Sequence, residues 1–175
     1  MRIDHGYPPR NTRHLLQLYG RDEASLISNV TAFVSDALQV CGYGIVIAVD
    51  GRLRSIREAL GDSDRVTFLD AREALSTFMV GGQPNRSLFD TNIGSKVRAL
   101  SARGKLHAYG EMVGWLWSLG MREAALQLEE FWNELLERAP FSLYCGYALE
   151  ANSDDPMLSH IISAHSECIE GLRTA

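Results

Sequence analysis

The chain has 175 residues, with 17 Lys and Arg against 22 Asp and Glu, a net charge of −5 and three cysteines. One domain of this length can close a full core without covalent staples. No run of Lys or Arg exceeds two residues, so the chain lacks the concentrated basic surface that a phosphate backbone requires, and nucleic acid is excluded as a direct partner. Cys41, Cys145 and Cys168 are odd in number and far apart, which argues against a disulfide framework and for a reducing compartment. There is no secretory apolar region at the N-terminus and no apolar run approaching the ~18 residues of a membrane span, so the protein is expected to be cytoplasmic, without membrane contact.

Residues 1–12 are polar, carry Pro8-Pro9 and read as a loose lead-in. A strand follows over 14–19 (HLLQLY). Gly20 to Glu23 turns the chain into a helix whose Leu26, Ile27, Val30, Phe33, Val34, Ala37 and Leu38 recur at helical spacing, ending near Cys41-Gly42. The unbroken apolar run 45–49 (IVIAV) is a strand covered on both faces. A short helix near 53–60 and a strand over 66–70 come next. Asp70 stands three residues before Glu73, a capping box for a helix over 71–79. Gly81 to Pro84 breaks that helix.

Leu88, Phe89, Ile93, Val97 and Leu100 mark another helix, and residues 105–109 a fourth strand. A helical segment near 111–119 leads into a long amphipathic helix over 121–138, with Ala124, Ala125, Leu128, Phe131, Trp132 and Leu135 on its apolar stripe. The last strand is 141–149, and 157–172 reads as a helical tail with a weak stripe. Strands alternating with helices predict a three-layer α/β sandwich on a mostly parallel sheet of about five strands. The main domain spans 13–149, with 150–175 as the C-terminal tail.

Ligands of open parallel sheets sit at the carboxyl ends of the strands. Here those ends carry Tyr19, Arg21, Asp22, Asp50, Arg52, Asp70, Tyr109, Glu111 and Tyr147. A phosphate-binding loop needs G-x-x-x-x-G-K-[ST] between a strand and a helix. After the first strand the chain offers GRDEAS instead, which places Asp22 and Glu23 where an anion would sit. The histidines form no H-x-x-x-H pair and the cysteines no C-x-x-C. His165 and Cys168, three residues apart, read as part of a solvated tail rather than a metal site. No G-x-S-x-G elbow is present. Cys145 reads as a packed core thiol, His14 and His107 as core or strand-edge residues, and Trp115, Trp117 and Trp132 as core rather than a cofactor wall. Glu111 reads either as a helix-terminal acid or as a polar handle in a pocket walled by aromatics.

The order of motifs resembles a known family. Arg13-His14, Leu18-Tyr19, Asp22-Glu23, Leu69-Asp70-Ala71, Phe78-Met79, Tyr109 to Val113, Leu116-Trp117, Gly120, Ala124-Ala125, Leu128-Glu129, Trp132-Asn133 and Phe141 to Tyr147 look like the MEDS domain, the methanogen/methylotroph DcmR sensory domain. The resemblance covers about residues 13–149. It implies a RecA/KaiC-like core that has lost its ATP-binding loop. It also implies a sensory module for small organic or hydrocarbon-derived ligands, working within transcription regulators or beside histidine-kinase or anti-sigma-type ATPase domains. No catalytic residue, metal or cofactor comes with it.

The expectation is thus a non-enzymatic sensor that binds a small organic ligand between Tyr19, Arg21, Asp70, Tyr109, Glu111 and Trp115. Its output passes to a protein partner, through self-association into a homo-oligomer, or through the tail. The alternative is a degenerate RecA-like nucleotide-binding ATPase or regulator. A third reading is a scaffold that binds no ligand.

Overall fold

A computed structural model describes residues 12–149 and 153–170 of the chain. The lead-in expected before Thr12 lies outside the described residues. Strands β1 (His14–Leu18), β2 (Tyr43–Ala48) and β3 (Val66–Asp70) alternate with helices α1 (Glu23–Gln39), α2 (Asp50–Leu60) and α3 (Ala71–Ser76). A small hairpin, β4 (Met79–Val80) and β5 (Gln83–Pro84), leads into α4 (Arg86–Phe89), a π-helical turn at Asp90–Gly94, and α5 (Ser95–Ser101). Then come β6 (Leu106–Gly110), α6 (Met112–Ser118), α7 (Arg122–Arg138), β7 (Ser142–Tyr147), α8 (Leu158–Ser163) and β8 (Glu167–Glu170).

The main sheet runs β3-β2-β6-β7-β1-β8, and every pairing in it is parallel. Strand alternation divides the core into two. Leu15, Val46, Tyr109 and Tyr144 face α1 and α2, packing on Leu26, Val30, Phe33 and Ile56. Leu16, Ile45, Ala108, Leu143 and Cys145 face the other layer, where α3, α6 and α7 bring Ala74, Leu116, Leu128 and Trp132. The long helix α7 is the largest contributor there, with Phe131, Trp132 and Leu135 buried. Each such side chain stabilises the fold by about 2 to 3 kcal/mol relative to leaving it in water. Trp117 and Trp132 are core residues, as expected, while Trp115 is only partly buried.

Two elements depart from the sequence reading. The helix expected over 71–79 stops at Ser76. Phe78 turns into the core, and Gly81 and Gly82, both with positive φ, close the hairpin that glycine pairs favour. The tail is not helical throughout. After α8 the chain becomes β8 and pairs with the edge of β1, giving a sixth strand. The cause is the unpaired backbone of that edge. Ser166 N donates to His14 O at 2.8 Å, and His14 N donates to Ser166 Oγ at 2.8 Å. No helix among the described residues is long and apolar enough to cross a membrane.

Candidate functional site

Two buried polar clusters lie on opposite faces of the sheet, each centred on a carboxylate. The first is at the carboxyl rim. Glu111 follows β6, and its own N–H donates to Ile47 O of β2 at 3.0 Å, which fixes the residue between two strand ends. The residue is 2% exposed. It accepts from Arg52 Nε at 2.8 Å, from the Tyr109 hydroxyl at 2.9 Å, and from the N–H of Val49. Glu111 stands at the start of α6, as expected of a helix-terminal acid, but its carboxylate makes no capping hydrogen bond to that helix. Arg52, in the first turns of α2, also pairs with Glu23 at 2.7 Å and lies 5.6 Å from the centre of the Tyr19 ring. Gly146 makes room for this arrangement, since a Cβ there would stand 2.7 Å from the Tyr109 hydroxyl. Burial pushes the Tyr19 hydroxyl up to about 12, with Arg52 partly opposing. Burial, reinforced by Glu111, pushes Tyr109 well above its usual range.

Of the six residues expected to bind ligand, Tyr19, Tyr109 and Glu111 converge around Arg52. Asp70 and Trp115 instead gather around Arg72. Asp70 caps α3 by accepting from the N–H groups of Arg72 and Glu73, and Arg72 lies 6.0 Å from the Trp115 ring centre. Beside Asp70 is a cavity of about 260 Å³ lined by Phe68, Glu73, Thr77, Asn92 and Lys96 among others. Arg21 is exposed in the turn before α1. At the start of α1, Asp22 accepts from Ser25 N at 3.0 Å, so a side-chain carboxylate holds an amide that a phosphate would otherwise use.

The second cluster lies under α7. His14 and Cys145, on adjacent strands β1 and β7, point to the same face, with His14 Nε2 3.4 Å from Cys145 Sγ. Glu129 reaches down from α7 to within 3.4 Å of His14 Nε2 and accepts from the Tyr147 hydroxyl at 2.6 Å. His165, in the connection between α8 and β8, places Nε2 3.3 Å from Glu129. The four donor atoms all lie within 4.8 Å of one another.

The family model described as "MEDS: MEthanogen/methylotroph, DcmR Sensory domain" matches residues 13–166. The chain belongs to the MEDS family. MEDS is a sensory domain, so the role of the chain is sensory and lies in signalling. The matched span begins just before His14 and closes just after His165, so it takes in both clusters and α8. No curated protein and no solved structure shows significant similarity.

The electrostatics of the second MEDS cluster differ from those of the rim. Burial lowers His14 to about 4, against a weaker opposing pull from Glu129. Burial works against the Glu129 carboxylate, yet His165 and His14 hold it below the usual carboxylate range. Burial likewise works against the imidazolium of His165, but Glu129 raises it. Burial, then Glu129, pushes the Cys145 thiol up. Glu129 Oε2 and His165 Nε2 are buried without a well-formed hydrogen bond, their near neighbours being His14 Nε2 at 3.4 Å and Glu129 Oε1 at 3.3 Å.

Sequence reasoning missed this grouping. His14 and Cys145 read as core, His165 as solvated, and Glu129 only as part of a motif. One signal was present: Glu129 falls four residues after Ala125 and three before Trp132, a carboxylate on the apolar stripe of α7.

Proposed function

We propose that this MEDS domain is a non-enzymatic sensor that takes a small organic ligand at the carboxyl rim of its sheet and passes the signal to a protein partner of a regulatory system. The observation that carries the reading is the convergence of Tyr19, Tyr109 and Glu111 on Arg52, at the strand ends where ligands of open parallel sheets bind. Arg52 is the pivot. One side of its guanidinium is committed to buried Glu111, and the other meets Glu23, whose side chain is 55% exposed. A polar ligand group can replace Glu23 without breaking the inner pair. Exchange there couples the rim to the start of α1, and the shift in population passes to whatever surface contacts that helix. Asp70, Trp115 and Arg21 extend the contact surface along the same rim.

The proposed kinship with RecA-like folds, with recognition kept and turnover lost, is supported by Asp22 and Glu23 at the helix start where phosphate would be held. The test is a thermal-shift screen with small organic compounds, including short alcohols, acids and halogenated hydrocarbons. At least one compound should raise the melting temperature. Tyr109→Phe and Arg21→Ala should reduce that shift while the far-ultraviolet circular dichroism stays that of the parent. Equal shifts in parent and variants would remove the ligand from the rim. Mg-ATP binding tighter than ~10 μM, near −7 kcal/mol, would favour nucleotide binding instead.

A further inference from the structure

We propose that His14, Glu129, Cys145 and His165 form a closed four-ligand site for one divalent transition-metal ion of the zinc class. Two imidazoles, a carboxylate and a thiolate are the donors that zinc takes in tetrahedral sites, with bonds of about 2.0–2.3 Å and hence ligand-to-ligand edges of roughly 3.3–3.8 Å. Two of the pairs already stand at that separation, with His14 Nε2 3.4 Å from Cys145 Sγ and 3.4 Å from Glu129 Oε2. His165 Nε2 lies 3.3 Å from the other Glu129 oxygen, Oε1, and one donor atom from each of the four residues falls within 4.8 Å of the rest.

The tautomers are set for coordination. His14 Nδ1 donates to Asn133 Oδ1 at 2.8 Å, and Asn133 is itself oriented because its Nδ2 donates to Ala164 O at 3.1 Å. His165 Nδ1 donates to Ile161 O at 2.7 Å. In both rings the proton on Nδ1 faces an obligate acceptor, which leaves the Nε2 lone pair for a metal. The Tyr147 hydroxyl holds one Glu129 oxygen and leaves Oε2 without a hydrogen bond. A buried carboxylate oxygen and a buried imidazole nitrogen left in this way are costly unless something joins them.

Charge makes the same point. Two neutral imidazoles, one carboxylate and one thiolate cancel a 2+ ion, so the loaded site is neutral in a buried setting. Binding expels the Cys145 thiol proton, and any second proton on His165, to water. All four positions are protein ligands, which makes this a structural site without an open position for substrate. A cavity of about 280 Å³ lined by Arg13, His14, Asn133 and Ser166 among others borders the cluster on its His14 side. The four ligands come from β1, α7, β7 and the α8–β8 connection, so the ion would tie the C-terminal strand to the sheet.

The test is titration of the chelator-stripped full chain with Co²⁺, followed by Zn²⁺. One Co²⁺ per chain should give a thiolate-to-cobalt charge-transfer band with the strong visible absorption of four-coordination, and Zn²⁺ should abolish both. The double variant Cys41→Ser/Cys168→Ser alters two exposed cysteines and keeps Cys145 as the sole thiol. It should keep the band. Cys145→Ser should lose it, and His165→Gln should weaken binding at least ~10-fold. If Cys145→Ser fails to fold, the double variant still decides the sulfur ligand. No stoichiometric Co²⁺ binding by the parent, or loss of the band in the double variant, overturns the site and leaves the cluster as an ion-pair network of His165 and Glu129.

Discussion

Glu111 and Glu129 are both buried to within 2% of full exclusion from solvent, yet they are treated in opposite ways. Glu111 meets a permanent cation, Arg52, and collects three donors. Glu129 meets two imidazoles and one hydroxyl, and one of its oxygens accepts nothing. A buried carboxylate needs a compensating charge and filled lone pairs. The rim meets that need with the chain's own residues, and the α7 cluster leaves a place with the geometry of a cation. A guanidinium is fixed by covalent structure, whereas an ion can come and go. The first cluster therefore suits a frame against which a ligand is sensed, and the second suits a fastening that can be released.

The largest effect should come from removing the fixed cation. Arg52→Ala removes the cation that pairs with buried Glu111, and should cost about 3 to 5 kcal/mol in urea unfolding. Near-parental stability would mean that Glu111 is not held as an ion by Arg52.

Metal removal should come next. With Zn²⁺ at 100 times its dissociation constant, stabilisation is about 2.7 kcal/mol, and a chelator should abolish it. Glu129→Gln should lose this response while the Arg52–Glu111 pair is untouched. An identical chelator response in that variant would separate the metal from the cluster.

Tyr109→Phe deletes one donor to Glu111 but leaves its cation, so the loss should be smaller, about 1.5 kcal/mol, a typical value for a hydrogen bond to a charged group. A loss as large as that of Arg52→Ala would mean that the hydroxyl, rather than the guanidinium, is the main support.

His107 sharpens the comparison as a buried histidine outside both clusters. It stacks on Phe33 at 4.3 Å and bonds Phe33 O at 2.5 Å, and burial lowers its affinity for protons. The unfolded chain then binds the proton more readily, so stability contributed above a pH of about 6.5 falls as the pH drops through the folded value. His107→Asn should flatten urea-midpoint profiles below pH 6.5, where Lys105, Asp36 and Arg13 supply the nearby charges. A profile of unchanged slope would remove His107 from the acid sensitivity. The smallest effect is Cys41→Gly. Cys41 holds a left-handed φ of 59° after α1, and glycine there should raise stability by up to about 1 kcal/mol without altering cobalt binding.

Much of the frame was legible in the sequence. IVIAV and HLLQL are apolar enough to be strands covered on both faces, and α7 announces itself through its stripe. Glu111 stood out because an acid opens an otherwise apolar helix. The α7 cluster was hidden for a physical reason. His14 and Cys145 meet because β1 lies beside β7, a neighbour 129 residues away, and spacing rules see only local geometry. His165 was hidden because Glu167–Glu170, too short and polar to read as a strand, is captured by the open edge of β1. Arg52 was visible at the rim, but its pairing with Glu111 depends on the contact between β2 and β6.

The difference between the two carboxylates is tested most directly by anomalous diffraction from crystals of the zinc-loaded chain, on both sides of the zinc absorption edge. One peak should lie about 2 Å from His14 Nε2, His165 Nε2 and a Glu129 oxygen, slightly farther from Cys145 Sγ, with no peak at Glu111. No peak under α7, with His165 Nε2 hydrogen-bonded to Glu129 instead, would contradict it.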